Sequence, residues 1–315
     1  MKDTYTLITD RIIAELESGT IPWHKPWTCA QPAISYTTGK AYSLLNQLLL
    51  GGRSGEYLTF NQAKKEGGRV KKGEKASMVV FWKWLKVEDE DTSESEGAQA
   101  TSGEDTTVPQ PRSCDAKRGS RSKEVPFLRY FSVFHVDQCE GISPRFRASE
   151  ALPVDPAEAN DAAEDIIADY LHRSGVRLIS RESSEAFYQP VTDTVVLPMR
   201  KQFGDTAEYY STAFHELTHS TGHRSRLNRL TETARFGSAT YSREELCAEL
   251  GASFILNRLG LETTGSFRNN AAYIDHWLTV LKEDKRLLVT AAGQADKAVR
   301  LILNDKEDVD DVHEG

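Results

Sequence analysis

Apolar side chains at Tyr5, Ile8, Ile12 and Leu16, with polar residues between them, form a stripe of helical period that predicts an amphipathic helix over 3–18, stopped by Gly19. The next segment, IPWHKPW, sets two prolines and two tryptophans in seven residues and reads as rigid extended chain rather than helix. Residues 59–66 (TFNQAKKE) predict a short helix closed by Gly67 and Gly68. Two stretches rich in β-branched and aromatic residues, ASMVVFWKWLKV at 76–87 and FLRYFSVFHV at 127–136, predict strands. Between them, residues 88–124 hold almost no large apolar side chain, so burial cannot offset the entropy of ordering them, and they read as a disordered, solubilising insert.

The pattern changes after a linker at 143–157. A helix is expected over 157–173, with Ala162, Ile166, Tyr170 and Leu171 on its apolar side and Gly175 beyond its end. Short strands are expected at 177–181 and 194–198, with EAFYQP between them. Three helical patterns follow, at 205–222, 243–259 and 270–303, the last with a break near Gly293. Asp205 and Glu208 stand at capping-box spacing at the start of the first. The whole is an α+β protein: a small α+β domain over 1–142, then a mostly helical domain with a short antiparallel sheet over 158–304, and an acidic tail at 305–315.

Composition changes this picture in one respect. Of 315 residues, 39% are hydrophobic and 27% charged, which is globular, and the formal net charge of -8 argues against a general nucleic-acid binder. Yet residues 1–86 carry 13 Lys/Arg against 7 Asp/Glu, so the acidic excess lies wholly further on. Lys64, Lys65, Arg69, Lys71, Lys72 and Lys75 cluster within twelve residues, flanked by Trp23, Trp27, Tyr42, Tyr57, Phe60, Trp82 and Trp84. Cations follow phosphates and rings stack on unpaired bases, so this interleaving suits single-stranded DNA, although the same rings could form the core of a small domain. Cys29, Cys114, Cys139 and Cys247 are scattered and form no C-x-x-C pair, which argues against a disulfide framework or a cysteine zinc knuckle. With no secretory pattern at the start and no apolar run long enough to span a bilayer, a cytoplasmic protein without membrane contact is expected.

The sharpest chemistry is H-E-x-x-H at 215–219. Side chains four apart share one helix face, so His215 and His219 can offer imidazole nitrogens to one Zn²⁺, or to another divalent transition metal such as Mn²⁺. Glu216 stands one step round the helix, where it can take a proton from water without ligating the metal. The position six beyond His219 is Ser225, so the third ligand must come from elsewhere. In SREELCAELGASF, Glu245 with Ala248 and Glu249 resembles the E-x-x-A-D of glutamate-ligand zincins. That assigns Glu245 to the metal and Glu249 to orienting a ligating histidine, with Glu249 and Glu244 as alternative ligands. Ser242 and Glu245 also fit a plain capping box. Tyr188, just before the motif helix, could stabilise an oxyanion or simply pack in its strand.

Taken together, TDRIIAELESGTIPWHKPW, TGKAYSLLN, YLTFNQAKKEGGRVKKGEKASMVVFWKW and FLRYFSVFHVDQCEG resemble the N-terminal domain of ArdC-type antirestriction proteins. AFYQPVTDTVVLP, HELTHSTGHRSRLNR, EELCAELGASF and AAYIDHWLTVLKEDKRLL resemble the zincin-like domain of the same family. One departure is Leu44–Leu45, where the family shows a more polar or glycine-containing turn. The resemblance implies a plasmid- or phage-associated protein that binds single-stranded DNA and protects incoming DNA from restriction. It also implies a metallopeptidase domain with a protein substrate such as a host defence component. Three readings stand open: a DNA-tethered metallopeptidase; a DNA shield or chaperone that retains a metal without cleaving anything; and, ranked last, hydrolysis of another bond such as a nucleic-acid linkage, since Glu216 beside two histidines neutralises less charge than two-metal nucleases use. Glu216 favours the first, since a purely structural site needs no general base.

Overall fold

Asp3 accepts a hydrogen bond from the Thr6 amide at 2.7 Å and so caps helix α1 (Thr4–Glu17), whose stripe of Ile8, Ile12, Ile13 and Leu16 is buried. The computed structural model describes residues 3–24, 32–88, 122–146, 156–230, 239–261 and 271–305. The chain leaves α1 through Pro22–His24, which forms a single 3-10 turn instead of the extended run expected there. After strand β1 (Ala33–Ser35), helix α2 (Leu44–Leu49) buries every one of its residues, and Leu44 and Leu45 are core rather than ligand-facing turn. Strand β2 (Gly55–Thr59) leads into helix α3 (Phe60–Lys65), opened by a capping box between Thr59 and Gln62. Strands β3 (Arg69–Val70), β4 (Ser77–Glu88), β5 (Ser122–His135) and β6 (Cys139–Glu140) complete this half. They form one sheet in the order β1-β2-β5-β4 and a two-stranded ribbon β3-β6. The insert assigned to 88–124 lies, from 89 to 121, outside the described residues, as do most of the linker and the acidic tail.

Helix α4 (Pro156–Ser174) opens the second half, followed by strands β7 (Arg177–Arg181), β8 (Phe187–Gln189) and β9 (Thr194–Pro198). Their sheet runs β7-β9-β8, with β7 parallel and β8 antiparallel to the fully buried β9. Helix α5 (Thr206–Thr221), capped by Asp205 on the Ala207 amide, carries the H-E-x-x-H motif. Helix α6 (Ala239–Leu259) begins four residues before its expected start. Ser242 is therefore inside the helix and buried, and the capping-box reading of Ser242 and Glu245 falls. The last pattern splits into α7 (Ala271–Glu283) and α8 (Leu287–Leu303). The break falls at Asp284 rather than Gly293, because the Asp284 carboxylate accepts from the Arg286 amide at 2.8 Å and turns the chain. Gly293 continues as helix, its side facing open space.

By contacts the chain divides into a unit of Met1–Val80 with Tyr130–Gly315 and a smaller unit, Phe81–Arg129. Within the larger unit the N-terminal helices pack on the C-terminal ones. Thr9 Oγ1 donates to the Lys285 carbonyl at 2.7 Å, and Asp296 accepts from the Leu44 amide at 2.9 Å. Trp23 sits edge-on to Trp277 with ring centroids 6.1 Å apart, and its carbonyl accepts from Ser253 of α6.

One polar staple holds the β8–β9 turn against the segment after α5. Asp193, at a positive φ of 47°, binds Arg226 through both oxygens at 2.5 and 2.9 Å and accepts the Tyr188 hydroxyl at 2.7 Å. Burial opposes its charge, but Arg226 and Tyr188 together hold the carboxyl below its ordinary value. The staple should therefore be complete above about pH 4 and lost as pH falls through that lowered value. Asp193→Asn keeps a residue at ease in this backbone region but strips Arg226 of its counter-charge. It should cost about 2–3 kcal/mol in urea unfolding at neutral pH, with less difference from the parent in acid. Equal stability at neutral pH would refute the staple.

Candidate metal centre and nucleic-acid face

Helices α5 and α6 cross closely because Gly251 has no side chain: a Cβ there would meet the Thr218 side chain at 2.8 Å. That approach lays Glu245 of α6 against the histidines of α5. The Nε2 atoms of His215 and His219 face each other at 3.1 Å, and the two Glu245 oxygens lie 3.7 Å from them, one each. All three donors fall within 4.8 Å of one another. Donors bound at about 2.1 Å in a tetrahedron stand roughly 3.4 Å apart, so the set fits one Zn²⁺-sized ion. Glu216 is buried beside them, and the group opens into a cavity of about 900 Å³. Its lining includes β8, which is an edge of its sheet among the described residues.

The surroundings are acidic, and this shows in the protonation of His219. Burial works against a charge there, but a hydrogen bond to Glu244 and the carboxylates of Glu216, Glu244 and Glu245 outweigh it and push the imidazole up to about 9. Glu244 and Glu245 are in turn held below their ordinary values, despite burial, by the histidines and, for Glu244, by Arg229. Three carboxylates around two imidazoles make a site chemically suited to a divalent cation, whose binding displaces a proton from His219.

Tyr188 lines the cavity but not as an oxyanion donor: its hydroxyl is committed to Asp193, and Arg226 donates to it at 3.3 Å. The phenol beside the carboxylates is Tyr241, which the sequence did not single out. It lies one turn before Glu245, hydrogen-bonds it, and is pushed up to about 12, mainly by burial and then by Glu245. Glu249, assigned to orient a histidine, lies 3.9 Å from His215 Nδ1, beyond hydrogen-bond length. Gly251 was also missed, since only the packed helix pair reveals what its missing side chain admits.

The basic cluster is exposed throughout: Lys64 and Lys65 end α3, Arg69 lies in β3, and Lys71, Lys72 and Lys75 follow it. Arg69 pairs with Glu140 at 2.6 Å, and Lys71 Nζ donates to the Asp137 carbonyl at 2.7 Å. The aromatics divide. Trp23 is only 1% exposed and offers no face to a base, a correction to its assignment as a DNA contact. Tyr42 is half-buried and edge-on to Tyr57, and burial raises its hydroxyl pKa, so it is largely a packing residue. Trp27 lies outside the described residues. Phe60 and Tyr130 of the larger unit are about half exposed, as are Trp82 and Phe127 of the smaller one. Phe60 stands one turn before Lys64 on α3, which sets a ring and a cation on one helix face.

Two histidines and a glutamate from successive helices, a further glutamate beside them, and a sheet edge along the cavity define a zincin-like metallopeptidase domain. Residues 163–294 match the zincin-like metallopeptidase family, and residues 2–134 match the N-terminal domain of anti-restriction factor ArdC. The crystal structures of the antirestriction ArdC protein from plasmid R388 superpose with a TM-score of 0.68 in both the metal-free and the Mn(II)-bound form. They are 34% and 32% identical to this chain, covering 96% of it and 97% and 98% of theirs. This chain belongs to the ArdC-type antirestriction family. An uncharacterized protein, y4eC, of Sinorhizobium fredii is 32% identical over 94% of this chain and 90% of its own length. DNA primase TraC of Escherichia coli is 32% identical over 96% of this chain, which spans only 27% of that much longer protein.

Proposed function

We propose that this protein binds single-stranded DNA and carries a metal-dependent peptidase, together protecting incoming mobile-element DNA. The observation that carries the peptidase reading is the convergence of His215, His219 and Glu245, with Glu216 beside them, on a cavity edged by β8. These three residues would hold a divalent metal, Zn²⁺ being well suited to two imidazoles and a carboxylate. When bound, such an ion polarises a carbonyl and makes water nucleophilic at neutral pH. Glu216 would take the proton from the attacking water and return it to the departing amine. The β8 edge can pair with an extended polypeptide, which would hold the scissile bond across the site. The protein substrate, on this reading, is a component of the restricting host. The Mn(II)-bound relative supports a divalent metal without choosing between zinc and manganese.

The DNA reading is supported by the exposed cations from Lys64 to Lys75 and by Phe60 among them. The full chain is the material to test, because α1 and α2 pack on α7 and α8 and a fragment ending near 150 would expose those faces. Binding to a single-stranded oligonucleotide should exceed binding to its duplex, and should fall steeply with salt. Replacing Lys71, Lys72 and Lys75 together by Ala should weaken it at least tenfold at low salt. It should also flatten the salt slope by roughly 2, at about 0.7 per lost phosphate contact. Phe60→Ala should narrow the preference for single strands, since stacking is worth about 1–3 kcal/mol per base. Equal binding to both forms by the parent protein would remove stacking from the account, and no binding to either would remove the DNA role.

A further inference from the structure

The two histidines at the proposed metal centre are not supported alike. Among the described residues, His215 Nδ1 is buried with no hydrogen-bond partner, and a Glu249 carboxylate oxygen lies 3.9 Å away. His219 Nδ1, by contrast, lies 3.1 Å from Glu244 Oε1. Glu244 is itself fixed: Arg229 donates from Nε to its Oε2 at 3.0 Å and from Nη2 to its Oε1 at 2.9 Å. Arg229 is in turn tied to the end of α5, through Thr221 Oγ1 at 2.8 Å and the Thr218 carbonyl at 2.9 Å. Its backbone amide donates to the Gly222 carbonyl at 2.9 Å. Both side chains are largely buried, at 7% and 15% exposure, so this arrangement is little screened by solvent.

We infer that Glu244, clamped by Arg229, is the positioning residue of the centre: it fixes the tautomer and ring plane of His219. A carboxylate at Nδ1 keeps the proton there and leaves the Nε2 lone pair facing His215 and Glu245. Glu244 and Glu245 are neighbours on α6, so successive side chains of one helix face opposite nitrogens of the same imidazole, at 3.1 and 3.7 Å. The orienting carboxylate is thus the residue before the glutamate ligand, and not Glu249 four residues after it. Arg229 makes the arrangement bidentate, and because it also caps α5, the ring that Glu244 orients and the helix that carries this ring are held by one side chain. This inference rests on the metal-centre reading above.

The test uses the full chain with Zn²⁺ or Mn²⁺ alone, measuring affinity by competition with a chelator and the melting midpoint of the metal-free protein. Loss of such an orienting partner lowers metal affinity about 10–100-fold, so Glu244→Gln should do so while Glu249→Gln changes it less than about threefold. Glu244→Asp, which keeps the charge, should recover part of the loss. Should Glu244→Gln not fold, Arg229→Lys serves instead: a lysine cannot fork across both oxygens, and affinity should fall severalfold with His219 untouched. Wild-type affinity in folded Glu244→Gln or Arg229→Lys overturns the inference, as does an equal or larger loss in Glu249→Gln. A lower melting midpoint with unchanged affinity reduces the pair to a helix staple and overturns it as well. If wild type and His215→Ala bind metal alike, the centre itself is wrong and the inference falls with it. If only His215→Ala loses metal while Glu244→Gln does not, the centre stands and the inference alone fails.

Discussion

His215→Ala should leave the purified protein without stoichiometric metal. Two donors remain, His219 and Glu245, and two ligands hold Zn²⁺ poorly where a catalytic site uses three. The loss should exceed the roughly 10–100-fold expected for an orienting partner, so exhaustive dialysis followed by elemental analysis reads it directly. Folding is checked by circular dichroism, since the change also takes the Nε2 partner at 3.1 Å from His219. Wild type should carry one metal per chain, and the same analysis names it as zinc or manganese. Stoichiometric metal in the variant would move the centre elsewhere.

Glu216→Gln should be the opposite case: metal retained, hydrolysis lost. Glutamine has the shape of glutamate and keeps one acceptor oxygen, but it cannot take the proton of an attacking water. Rates should fall about 10²–10⁴-fold in any assay where the parent cuts a protein. Unchanged cleavage would rule out Glu216 as the base. The same variant separates the two broad readings of the protein. If it still protects single-stranded DNA during transfer into a restricting host, protection comes from the DNA-binding half and the peptidase serves another end. If protection is lost while metal and DNA binding persist, cleavage is the mechanism.

Most elements were legible in the chain because they follow from local periodicity. The stripe from Tyr5 to Leu16, the strands at 177–181 and 194–198 and the motif helix all form where apolar spacing places them. The errors have different causes: one a local turn, one an earlier helix start, one a long-range contact. Gly293 looked like a break, yet α8 runs through it and the turn is made by Asp284. Ser242 looked like a cap, yet α6 starts earlier and buries it. Trp23 looked like a stacking ring, yet its partners are Trp277 and Tyr273, about 250 residues away in the chain.

The site divides the same way. His215, Glu216 and His219 were readable because one helix turn brings residues four apart onto one face whatever the rest of the protein does. The sequence alone also marked Glu245 as a candidate third ligand, through its spacing from Ala248 and Glu249, and marked the basic run from Lys64 to Lys75. It chose Glu245 over Glu244 and Glu249 by that spacing and gave Glu249 the orienting role, but the place of Glu244 was beyond it, because three carboxylates on one helix differ only in which way they point once that helix is docked. Docking is set by Gly251 against Thr218, and it turns Glu245 to the Nε2 atoms, Glu244 to Nδ1 of His219, and leaves Glu249 3.9 Å from Nδ1 of His215. Periodicity reports which residues share a face of their own helix; the angle and depth at which two helices meet depend on side-chain volumes far apart in the chain, and only the packed structure combines them.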